Sequence, residues 1–89
     1  MTKRSRDEIY ASILQSAAQD SSGMGITRIM YNTFLSYSQL SESLEQLTRF
    51  RLLAYQHDDK RFKITEKGRR FMQLVEEMDD ILKVRGTPN

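Results

Sequence analysis

With no cysteine and a single histidine in 89 residues, this chain has neither a disulfide frame nor a complete zinc ligand set to stabilise its fold. Its hydrophobic core and copies of itself are the supports that remain. A chain this short builds one core, so residues 1–89 are read as a single domain. Hydrophobic residues are 38% and charged residues 29%, enough to bury a modest core and unlike the charge-rich profile of disorder.

Periodicity supplies the order of elements. Ile9, Ile13, Leu14 and Ala17 recur at helical spacing, predicting a first helix over residues 6–19 with Ser5 or Arg6 just outside. Residues 20–25, Asp-Ser-Ser-Gly-Met-Gly, form a break. Thr27 then suits the N-cap of a short second helix over about 28–33, carrying Ile29, Met30 and Phe34 as its apolar positions. Ser36-Tyr37-Ser38-Gln39 reads as a capping box that opens a third helix. Leu40, Leu44, Leu47 and either Phe50 or Arg51 make its buried stripe, with Ser38, Gln39, Glu42, Ser43, Gln46 and Arg49 on the free face.

After Leu52 the period changes. Leu53-Ala54-Tyr55, a polar turn from His57 to Lys60, and the alternating Arg61-Phe62-Lys63-Ile64-Thr65 predict a β-hairpin with one polar face. Thr65 can cap a last helix over 66–85, stopped by Gly86 and Pro88. No apolar run approaches the ~20 residues of a membrane span and no signal-type apolar region is present, so the expectation is a cytoplasmic protein without a membrane partner.

The candidates for chemistry are weak. Gly23-Met24-Gly25 lacks the third glycine and the following helix of a dinucleotide cradle, and reads as a loop or strand entry. His57, Asp58 and Asp59 are neighbours in a turn and do not converge as metal ligands. Glu76, Glu77, Asp79 and Asp80 occupy the wet side of an apolar-striped helix, and the lone histidine gives no triad spacing. The reading is therefore a protein with no catalytic residues, metal or cofactor.

Charge and topology are more informative. The net charge is only +2, but residues 57–70 hold six basic and three acidic side chains, while residues 71–85 hold two basic and four acidic ones. Two short helices joined by Thr33-Phe34-Leu35-Ser36 make a helix-turn-helix, in which the second helix of the pair presents its polar face to a DNA major groove. The hairpin that follows is a wing, and Lys60, Arg61 and Lys63 sit where its tip meets phosphate oxygens. The expected class is α+β: a winged helix of three helices and a two-stranded hairpin, followed by a long C-terminal helix.

Gly25-Ile26-Thr27-Arg28-Ile29-Met30-Tyr31, Leu35-Ser36-Tyr37-Ser38-Gln39-Leu40 and Ile64-Thr65-Glu66-Lys67-Gly68 resemble the archaeal winged-helix DNA-binding proteins typified by a small Sulfolobus chromatin protein of ten-kilodalton class. The likeness runs over about residues 6–85. It implies helix 3 and the wing on double-stranded DNA, and a C-terminal helix that pairs with a two-fold mate as an antiparallel coiled coil. Where that family usually has glycine between helix 3 and the first strand this chain has Arg51, so a left-handed helix end costs about a kcal/mol there or another exit geometry replaces it. Helix 3 also carries Glu42 and Glu45, with basic residues only at Arg49 and Arg51.

Residue by residue, Arg28 is placed on a phosphate at the second helix, while Ser38, Gln39, Glu42, Ser43, Gln46 and Arg49 face DNA or form a solvated helix surface. Tyr37, beside Leu40, is expected to pack in the core or at its boundary, and Lys3, Arg4 and Arg6 form either a basic arm or a plain solubilising terminus. Leu74, Val75, Met78, Ile81 and Leu82 continue the stripe begun at Phe71 beyond what a small domain covers, predicting a homodimer through this helix. The resulting expectation is a homodimeric transcriptional regulator or chromatin-associated protein; the competing one is a winged-helix adaptor that binds protein and not DNA.

Overall fold

Ser5 sets the start of the first element. Its hydroxyl accepts the Glu8 N–H over 3.1 Å, and the Glu8 carboxylate accepts the Ser5 N–H over 3.0 Å, a complete capping box. The computed structural model describes residues 5–86, arranged as α1 (Arg6–Ala17), α2 (Ile26–Thr33), α3 (Tyr37–Arg49), β1 (Leu53–Gln56), β2 (Arg61–Ile64) and α4 (Glu66–Gly86). Lys3, Arg4 and Pro88 lie outside the described residues; Arg6 opens α1 with its guanidinium 5.8 Å from the centre of the Tyr10 ring.

The predicted element order is the observed one, with local corrections. The first helix stops at Ala17, not residue 19, because Gln19 and Asp20 donate to Ser16 and Ala17 in a tightened turn. Thr27 is not the N-cap of α2. Gly25 is, with its carbonyl accepting the Ile29 N–H over 3.1 Å, so Ile26 enters the helix and packs against the core. Phe34 does not extend the apolar side of α2: it caps the helix at φ 60° and is 91% exposed, while Leu35, one residue beyond the left-handed turn, is buried in its place. At α3 the capping box is half made. Ser36 Oγ accepts the Gln39 N–H over 3.2 Å, whereas the Gln39 side chain lies near the Ser36 hydroxyl instead of its backbone N–H.

Leu40, Leu44 and Leu47 are buried as expected, but neither Phe50 nor Arg51 continues their stripe. The chain leaves α3 through Arg51 at φ 65°, and Leu52 and Leu53 take up the core positions. The left-handed exit is thus retained on a side chain that disfavours it.

The hairpin is antiparallel, with Leu53 opposite Ile64 and Tyr55 opposite Phe62 on one face, and Ala54 opposite Lys63 and Gln56 opposite Arg61 on the other. Met24 adds to the free edge of β2 through two backbone bonds with Phe62, of 2.9 and 2.8 Å, so the strand-entry reading of the glycine pair holds. Gly23, at φ 99°, brings this segment against Arg61 Cβ and the Phe62 carbonyl.

Thr65 locks the wing to α4. Its hydroxyl donates to the Arg51 carbonyl over 2.7 Å and accepts the Gly68 N–H over 3.0 Å, while Gly68 lies so close to the Leu52 carbonyl that no Cβ fits. Phe71 and Met72 cover the core, in which Ile13, Leu14, Ile29, Leu40, Leu47 and Leu53 are the most completely buried side chains. Beyond them α4 projects, giving a molecule of 50 × 27 × 20 Å. Among the described residues no helix is long and apolar enough to cross a membrane.

Candidate nucleic-acid interface

Burial of Leu40, Leu44 and Leu47 fixes the rotation of α3, and hence what its other faces present. Ser38, Glu42 and Arg49 lie on the side opposite this stripe and are exposed. One flank carries Tyr37, Ser41, Glu45 and Thr48 and turns toward the wing, with which it encloses a groove. Gln39, Ser43 and Gln46 lie on the other flank; Gln39 is exposed and the other two are half-buried.

The wing divides its predicted residues in a similar way. Lys60, at φ 57°, stands at the end of the turn and lines the groove with Tyr55 and Phe62. Arg61 and Lys63 belong to the opposite face of the hairpin, both exposed. Arg61 reaches the α1–α2 loop, where its Nη1 donates to Ser22 Oγ over 3.2 Å. The hydroxyl and backbone N–H of Ser22 both donate to Asp20 Oδ1, over 2.7 and 3.0 Å. These bonds hold the Asp20 carboxyl below its ordinary range, and the positive charges of Arg61 and Arg28 assist. Arg28 itself is exposed in the first turn of α2.

The groove therefore brings Lys60 and Arg49 together, with the Arg49 guanidinium 3.5 Å from Glu45 in an exposed ion pair. It places Arg28, Arg61 and Lys63 elsewhere on the surface. Tyr37, expected in the core or at its boundary, is corrected to an exposed groove residue, because position 37 falls on the wing-facing flank and not on the leucine stripe. Ser41, Glu45, Thr48, Tyr55 and Phe62 were not anticipated in the site. The i, i+4, i+8 spacing of 37, 41 and 45 was a signal for one shared flank, but only the packed wing shows which flank is lined.

On α4, Leu74, Met78, Ile81 and Leu82 are exposed, Ile81 by 64%. Val75 is half-buried and lies in the cleft between α1 and α4, opposite Ala11 and Gln15. Among the described residues no group of His, Cys, Asp and Glu is placed to hold a metal ion.

A family model described as winged helix-turn-helix matches residues 3–83. The fold is similar to the crystal structure of Sso10a-2, a DNA-binding protein from Sulfolobus solfataricus, with 29% sequence identity and a TM-score of 0.78 over 90% of this chain and 83% of that one. It is also similar to BpsR of Bordetella bronchiseptica, whose DNA binding is regulated by 6-hydroxynicotinic acid; there the identity is 16% and the TM-score 0.76, over 91% of this chain and 62% of that one, a likeness of fold. No curated protein sequence matches the chain.

Proposed function

The chain belongs to the winged helix-turn-helix family, and from that premise we propose that it is a cytoplasmic, homodimeric DNA-binding protein, a transcriptional regulator or a chromatin-associated protein. The observation that carries this reading is the shared groove: the wing-facing flank of α3, with Arg49 at the edge of its open face, and Lys60 at the tip of the wing border the same space, so that helix and wing can engage adjacent groove and backbone of one duplex. Ser38, Glu42 and Arg49, with Gln39, Ser43 and Gln46 beside them, supply the base-facing surface. Lys60, Arg61, Lys63 and Arg28 supply phosphate contacts, which add affinity without reading sequence. Leu74, Met78, Ile81 and Leu82, with Val75 at the edge of the stripe, form the dimer seam. The DNA-binding relative of similar fold supports this assignment.

Glu42 and Glu45, both exposed on α3, favour the second reading, an adaptor that binds protein. Titration of labelled duplex at several salt concentrations separates the two. Phosphate neutralisation makes log affinity fall linearly with log salt over about 50–200 mM. Absence of duplex binding at the lowest salt would select the adaptor.

A further inference from the structure

The groove between α3 and the wing is also shaped as a small-molecule pocket. It is open to solvent along its length and offers about 710 Å3, within the range of about 300–1,000 Å3 in which proteins hold small ligands. Ile26 and Leu44 form its apolar floor, and the rings of Tyr37, Tyr55 and Phe62 form its walls. The wing side is preassembled: the Tyr55 and Phe62 ring centres are 4.8 Å apart, and His57 meets Tyr55 edge-on at 4.8 Å. Such walls take flat apolar rings.

Charge narrows the occupant further. Arg49 is compensated by Glu45 at 3.5 Å, whereas Lys60 makes no ion pair with any described residue. One uncompensated positive charge at the rim suits one negative charge on the ligand; a polyphosphate would need more, and a cation would be repelled. We infer that this groove binds a small planar aromatic monoanion, with its rings between Tyr37 and the Tyr55–Phe62 pair and its carboxylate at Lys60. Because Lys60, Arg49 and α3 also border the surface proposed for DNA, an occupied groove excludes the duplex, and ligand and DNA lower each other's affinity by the same factor. The pocket stands on its own geometry; only the exclusion rests on the DNA reading.

The test uses 2-naphthoate and its neutral isostere 2-naphthamide, titrated into the DNA-free full chain and followed by NMR of the aromatic rings. Naphthoate is expected to shift Tyr37, Tyr55 and Phe62 and to bind about tenfold more tightly than the amide, as one charge-assisted hydrogen bond implies. Lys60→Ala should erase the difference between the two compounds, and Ser41→Trp, a change at an exposed wall position, should fill the groove and abolish both. With labelled duplex present, naphthoate should release DNA. The inference is overturned if these rings are unmoved up to about 10 mM ligand, if acid and amide bind alike, or if the shifts fall on the α4 stripe alone. Groove binding by a chain that binds no duplex would support the pocket and refute the DNA reading; simultaneous binding of both ligands would overturn the exclusion.

Discussion

Arg61, the first residue after the turn of the wing, reaches Ser22, its Nη1 donating to the hydroxyl over 3.2 Å, and so ties the hairpin to the loop between α1 and α2. The tie lies on the hairpin face away from α3, whereas Lys60 lines the groove. The wing therefore offers cations on two faces, one of them held in place by Ser22.

The first prediction separates those cations. Lys60→Ala, Arg61→Ala and Lys63→Ala should each weaken binding to all duplex sequences alike and reduce the salt slope by about one unit per lost phosphate contact. Ser22→Ala leaves the Arg61 charge in place and removes only its anchor, so it should lower affinity about twofold with little change in slope. Fluorescence anisotropy at graded salt measures both quantities. An unchanged slope in Arg61→Ala would assign that residue to the loop tie alone.

Asp20 gives a pH-dependent prediction. Its folded carboxyl titrates below the ordinary value of 3.8, chiefly because Ser22 donates two hydrogen bonds to the charged form. The unfolded chain then binds more protons in the interval between the two values, so the stabilisation is complete above the unfolded value and is lost as pH falls through the folded one. Asp20→Asn keeps an acceptor but not the charge. Urea midpoints of wild type and variant should differ by a constant amount from pH 5 to 7 and converge in acid below 3.8. A difference independent of pH would show that the carboxylate charge has no part in holding the loop.

The order of elements was legible because helix and hairpin periods differ: the leucines at 40, 44 and 47 and the alternation at 61–64 cannot be exchanged. The turns were harder. Phe34 and Arg51 both adopt left-handed backbone that neither side chain favours, since the reversals between α2, α3 and β1 are set by which leucine must next reach the core. The site was half-legible for a related reason. The polar face of α3 follows from its own stripe, but Tyr37, Tyr55 and Phe62 meet across 18 and 25 residues of chain, and only the docking of the wing places them in one groove.

Backbone geometry supports a paired stability test. Arg51→Gly removes the side-chain penalty at φ 65° and should raise stability by about 0.5–1 kcal/mol, net of the greater chain entropy of glycine. Gly68→Ala forces a methyl against the Leu52 carbonyl and Ile64 Cγ1 and should lower stability by about 1–3 kcal/mol. Urea unfolding at one fixed protein concentration compares them. A neutral Gly68→Ala would mean that α4 can move away from Leu52 and Ile64 without loss.

The exposed stripe of α4 gives the test of assembly. Ile81 and Leu82 are 64% and 56% exposed, too far along the helix to be covered by the core that holds Phe71 and Met72. Replacing both by glutamate should halve the mass measured by light scattering and weaken DNA binding, because the two half-sites are no longer linked. A dimer that persists in this double variant would exclude the distal part of α4 as the seam.

The last prediction concerns whether α3 reads sequence. Gln39 and Gln46 lie on the flank away from the wing, Gln39 exposed and Gln46 half-buried. Each amide carries a donor and an acceptor, the pair that adenine recognition in the major groove requires. Gln39→Ala and Gln46→Ala should each cost about 1–3 kcal/mol on a preferred duplex, selected from random sequence, and almost nothing on random duplex. The salt slope should stay as in wild type, since an amide neutralises no phosphate. That combination identifies a regulator. Equal affinity of both variants for every duplex, with the wing substitutions still weakening binding, identifies an architectural protein that holds DNA by its backbone and leaves α3 unread.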